Sequence, residues 1–166
     1  MDYEPISKQI SPFRVAGIIV RTSNRDEMSP HTARLGSLWG RFFQEGIPGK
    51  VANQVPGAAV YGVYSDYESD VNGQYSVTAG MQIEPSATGG DEFTYVDVAG
   101  GEYLVFEGKG PMPQVVIETW KAVWDYFSEA REFKRAYTSD FELYKGMDEV
   151  AIHISVSPKP PAVAGG

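Results

Sequence analysis

The sequence predicts an α+β domain: two β-α-β-β units related by a pseudo-twofold axis around a central ligand groove. Strand-like and helix-like stretches follow one another in the same order twice along the 166 residues. Short sequences also recur at similar offsets. Val-Ala-Gly stands at 15–17 and again at 98–100, Trp39 lies 85 residues before Trp124 in related aromatic contexts, and Tyr64 lies 80 before Tyr144. Finally, neither unit of about 80 residues has two amphipathic helices to cover its own sheet, so the two must share one core.

Phe13 to Thr22 (FRVAGIIVRT) is an apolar, β-branched run that reads as a buried strand. Ser29-Pro30 supplies a cap residue and a proline at the first helical position. From there Leu35, Leu38, Trp39, Phe42 and Phe43 recur at helical spacing. Gly46, Pro48 and Gly49 end that helix. Ala59–Tyr67 and Gln74–Ile83 read as strands flanking Asn72-Gly73, a hairpin signal. The polar stretch Glu84–Glu92 separates the halves, expected at about 1–84 and 93–156. Thr94–Glu107 is strand-like, and Ile117, Trp120, Val123, Trp124 and Phe127 form the second helical stripe. Tyr137–Tyr144 and Glu149–Val156 make the last strand pair. A single domain over 1–156 is expected, with Ser157–Gly166 a disordered, proline-rich tail.

Composition narrows the function. Fourteen basic against 22 acidic residues leave a net charge of −8, which repels phosphate backbones and argues against direct nucleic-acid binding. No apolar run is long enough for a membrane span, and no secretory signal opens the chain. Cysteine is absent, which removes disulfides and thiolate metal sites and points to the cytoplasm. Ten Tyr, eight Phe and three Trp put rings where aliphatic side chains would serve, and rings offer flat faces to a ligand.

Asp140-Phe141-Glu142-Leu143-Tyr144 is the sharpest local feature. Strict alternation sends Phe141 and Leu143 to one face and Asp140, Glu142 and Tyr144 to the other. That second face is either solvated or the wall of the groove. In a groove among tyrosines the Glu142 carboxylate loses water, and its ionised form becomes costly unless a partner or a bound cation compensates. Rings with one desolvated carboxylate suit an organic cation. Candidate ring walls are Trp39, Tyr61, Tyr75, Tyr103, Trp120, Trp124 and Tyr144. Which tryptophan of the second helix faces the groove is open at this stage.

With Gly101-Glu102-Tyr103-Leu104-Val105-Phe106, Gly108, Gly110 and the two-tryptophan helix 117–127, this strand resembles the gyrase-inhibitor-like (GyrI-like) effector-binding domain. That domain accompanies AraC-type and multidrug-sensing transcription regulators. The likeness runs from Phe13 to Val156, and is closest to a stand-alone drug-binding type carried on integron gene cassettes. It implies a pocket for lipophilic, often cationic aromatic compounds, with Glu142 as the pocket glutamate. Regulators of the family carry a helix-turn-helix. With about a dozen residues before Phe13, a sensor or sequestering domain without a DNA-binding segment is expected. The resemblance also leaves two alternatives: hydrolysis of small electrophilic compounds by Glu142 and a tyrosine such as Tyr144 or Tyr103, and a protein partner, either gyrase or a transcription regulator.

Other chemistry finds little support. Gly108-Lys109-Gly110 lacks the rest of a phosphate-binding loop. His31 and His153 lie far apart without carboxylates at metal-ligand spacing. Asp66, Glu68 and Asp70 alternate like calcium ligands, but Val77 stands where the closing glutamate is needed. No cofactor, metal or catalytic residue is therefore expected.

Overall fold

The computed structural model describes residues 4–129 and 133–158. Its strands are β1 (Ile6–Ile10), β2 (Phe13–Ser23), β3 (Val60–Ser65), β4 (Gln74–Ile83), β5 (Thr94–Val98), β6 (Gly101–Lys109), β7 (Phe133–Tyr144) and β8 (Glu149–Pro158). Helices α1 (Asn24–Glu27) and α2 (Leu35–Gln44) lie between β2 and β3, and α3 (Gln114–Phe127) lies between β6 and β7. All eight strands form one antiparallel sheet in the order β1-β6-β8-β7-β3-β4-β2-β5. The α+β class is as expected, but a single continuous sheet replaces the two paired sheets. The order reads alike from both ends, and its centre is the β7–β3 pair, where Glu142 stands directly opposite Gly62.

Residues 11–12 join β1 to β2, and residues 99–100 join β5 to β6; each link connects strands six positions apart in the sheet. Such a link spans at most about 11 Å between Cα atoms. Six strand spacings in a flat sheet would measure about 29 Å. The sheet therefore curls until its ends meet. The enclosed face is packed with Val15, Val63, Val98, Tyr103 and Phe141, and Phe13 of β2 reaches Phe141 of β7 with ring centroids 5.2 Å apart. His153 stacks on Phe141 at 4.2 Å on this face. Burial holds its pKa down near 4, so the ring is neutral at physiological pH.

Both long helices pack on the other face. Leu38 and Phe42 of α2 join Val77, Ala79, Met81 and Ile83. Val115 and Val123 of α3 join Leu104, Phe106, Ile152 and Ile154. Trp120 touches both clusters and ties them together. Close docking of α3 requires Gly108, since a Cβ there would stand 2.1 Å from Thr119 Oγ1.

Three sequence expectations shift. Ser29-Pro30 opens a turn, not the helix, for α2 begins at Leu35. Its first amides, Arg34 N and Leu35 N, donate to the Glu27 carboxylate, so a side chain from α1 caps α2. The stripe proposed for α3 is displaced: Val115, Thr119 and Val123 are buried, while Ile117 and Trp124 are about half exposed. Ser157 and Pro158 belong to β8, not to a disordered tail, and residues 159–166 lie outside the described residues. Strand β1 carries no sequence signal because its polar residues lie exposed at a sheet edge.

Candidate functional site

At the centre of the sheet, strand alternation turns Gly62 and Tyr64 of β3 and Glu142 of β7 toward the helices, while Val63 and Phe141 turn inward. Glu142 is only 2% exposed. Its Oε2 accepts from Tyr64 Oη at 3.0 Å and Trp120 Nε1 at 2.7 Å, and its Oε1 accepts from Tyr144 Oη at 2.8 Å. All three donors are neutral. Burial raises the Glu142 pKa, and the three hydrogen bonds offset part of that rise. The same burial, with the neighbouring carboxylate, drives Tyr64 and Tyr144 well above the usual tyrosine value, so both remain proton donors.

Two crossed ring pairs frame this carboxylate. Trp120 lies 5.1 Å from Tyr64, and Trp39 lies 5.2 Å from Tyr144. Each tryptophan thus packs on the tyrosine contributed by the other half. Trp120, not Trp124, makes the ring contact that mirrors the Trp39–Tyr144 pair. A side chain at Gly62 would displace the arrangement, because its Cβ would lie 2.7 Å from Glu142 Oε1 and 2.9 Å from the Trp39 ring.

In front of Tyr64 and Trp120 opens a cleft of ≈ 260 Å³. Tyr75, Tyr67 and Tyr137 continue its aromatic wall, Leu35 and Ile117 add aliphatic surface, and Trp124 stands half exposed at its edge. Arg135 also faces the cleft, but its charge is matched by buried Asp140 at 2.8 Å. Asp140 accepts as well from Tyr67 Oη, Ser155 N and Ser155 Oγ. Among the described residues no cluster of three metal-ligating side chains occurs, and no helix is long and apolar enough to cross a membrane.

The family model for Cass2, the integron-associated effector binding protein, matches residues 8–156. The chain belongs to this effector-binding family. It resembles an integron cassette protein from the mobile metagenome of Vibrio cholerae at 39% identity and a TM-score of 0.79, covering 94% of this chain and 98% of that one. It is 30% identical to YobU of Bacillus subtilis (strain 168), provisionally named a transcriptional regulator protein, over 79% of this chain and 80% of the relative. The fold also matches SAV2435, solved bound to tetraphenylphosphonium, with a TM-score of 0.75 and 22% identity over 93% and 94% of the two chains.

In this Cass2-family chain the nominated residues divide by strand parity. Tyr75, Trp120 and Trp124 line the cleft, while Glu142 and Tyr144 sit behind its wall and Trp39 packs on Tyr144. Tyr61 and Tyr103 do not belong to the site. They point to the enclosed face, where Tyr61 packs on Phe13 and Phe141 and Tyr103 donates to Ala99 O. Tyr103 is therefore also removed as a partner for Glu142. Tyr64, Tyr67 and Tyr137 went unnominated. Tyr64 was nonetheless legible: it shares an offset of 80 with Tyr144, and Tyr144 follows Glu142 at the same parity.

Proposed function

We propose that the cleft binds lipophilic organic cations, with Glu142 supplying the balancing charge and Tyr64, Tyr75, Trp120 and Trp124 the ring walls. The observation that carries this reading is a fully buried carboxylate whose donors are all neutral, placed behind aromatic rings at an apolar cleft. Ionised Glu142 is costly without a counter-charge. A cation entering the cleft meets that charge through a low-dielectric wall and the negative faces of the rings, each worth about 0.5–2 kcal/mol. The tetraphenylphosphonium held by SAV2435, a protein of the same fold, is consistent with this reading.

Calorimetric titration of tetraphenylphosphonium into the wild type and Glu142→Gln tests it. The variant is expected to bind about tenfold or more weakly, as for loss of a partly desolvated charge interaction. Equal affinities would remove Glu142 from the role. A second reading draws on the same contacts: Tyr64 and Tyr144 lie within proton-transfer distance of Glu142, the geometry a general base and acid need. Incubation with small electrophilic esters and epoxides distinguishes the two, since binding alone yields no Glu142-dependent product.

A further inference from the structure

We propose that the cleft takes amphoteric aromatic ligands, cations that also carry a carboxylate, and that Lys121 and Arg135 form the subsite for that carboxylate. The cationic half of such a ligand rests on the reading above. The acidic half rests on how charge is divided across the cleft. Tyr64 and Tyr75 lie between two unlike banks. On the β4 side, α1 brings Asn24, bonded to Tyr75 Oη, and Glu27. On the other side, α3 and β7 bring Lys121 and Arg135. Asp70 sits on the β3–β4 hairpin, exposed to water and therefore screened.

Ile117, Trp120, Lys121 and Trp124 share one face of α3, and all four line the cleft. Lys109 and Lys145 each pair with a glutamate, whereas Lys121 has no ion pair or hydrogen bond among the described residues. A free ammonium at the rim opposes a cationic guest unless the guest also brings a negative group. Arg135 adds a directional donor. Its side chain is 8% exposed, and Nη2 donates to Asp140 at 2.8 Å, which cancels most of its charge. Its Nε–H has no acceptor, the unfavourable state for a buried donor. A ligand carboxylate has one oxygen for this donor and one for the Lys121 ammonium. Away from such a subsite the same carboxylate is repelled by Glu27, by Glu142 and by the net charge of −8. The preference between an acid and its ester therefore reads the local cations and not the protein as a whole.

The test uses carboxynaphthylmethyl-trimethylammonium and its methyl ester, titrated at neutral pH into wild type, Lys121→Gln and Arg135→Lys. In wild type the acid is expected to bind at least as tightly as the ester. Lys121→Gln should lower the acid-to-ester affinity ratio by about threefold or more, weakening the acid while the ester holds or tightens. A merely structural role for Lys121 would move both ligands in the same direction. Arg135→Lys keeps a charge for Asp140 but removes the Nε–H donor, and should lower the ratio as well, with circular dichroism to check the fold. Weaker binding of the acid than of the ester in wild type overturns the proposal. So does a ratio that Lys121→Gln leaves unchanged. If the ester and tetraphenylphosphonium bind while the acid does not, the carboxylate subsite alone falls. If none of the three binds, the cation reading falls first and takes this proposal with it.

Discussion

Strand β7 carries two buried acids two residues apart, and the protein treats them differently. Asp140 and Glu142 are both removed from water, and each stands behind residues that line the cleft: Tyr67 and Arg135 for Asp140, Tyr64 and Trp120 for Glu142. Asp140 has a guanidinium on one oxygen and Ser155 on the other. Among the described residues Glu142 has only hydroxyls and an indole. The Asp140 charge is cancelled within the fold, whereas the hydrogen-bond partners of Glu142 carry no positive charge. Burial alone does not set the two acids apart; the nature of the partner does.

Removing Asp140 should produce the largest effect. Asp140→Ala leaves Arg135 buried without its counter-charge, and a loss of about 3–5 kcal/mol is expected in urea unfolding. If Glu142→Gln destabilises as much, the contrast between the two acids is lost. The expectation for Glu142→Gln is a stability change of less than about 1.5 kcal/mol, with the loss concentrated in cation affinity.

Titration sharpens the same contrast. The Glu142 pKa is raised on folding above its ordinary value near 4.5, so the native state holds its proton more tightly than the unfolded chain. Its contribution to stability is full below that value and is lost as pH rises through the raised native pKa. A bound cation favours the ionised form, so cation affinity should climb over that window with release of up to one proton. Calorimetry in buffers of different ionisation enthalpy reads that proton, and Glu142→Gln should abolish it.

Gly62→Ala probes the space opposite the glutamate. The added methyl would lie 2.7 Å from Oε1 and 2.9 Å from Trp39, so a cost of about 1–3 kcal/mol is expected, with weaker cation binding. The smallest change is expected from Trp124→Ala. The residue is 49% exposed, so thermal stability should move by less than about 0.5 kcal/mol while cation affinity drops severalfold. A fully retained affinity would take Trp124 out of the cleft wall.

The sequence was readable where one periodicity dominates. Strand β4 runs from Gln74 to Ile83 as its alternation indicates. Helix α3 was harder because it serves two surfaces. Val115, Thr119 and Val123 pack on the sheet while Ile117, Trp120 and Trp124 face the cleft, and a helix apolar on two sides blurs its own stripe. The start of α2 was hidden because its cap comes from Glu27, a residue outside the local pattern. Tyr61 and Tyr103 were misplaced because composition counts rings without regard to strand parity. The role of Gly62 depends on the pairing of β3 with β7, which no local reading contains.

The two short links that close the sheet on itself bear on what the cation-binding proposal demands of the cleft. The two ends of the sheet are tied by these links into one continuous hydrogen-bonded frame, which opposes a hinge motion between its two sides. On that proposal, room for guests of different outline would come from rotation of rings and adjustment of the helices above a stiff floor. Guests of different outline would then leave the backbone of the strands unmoved.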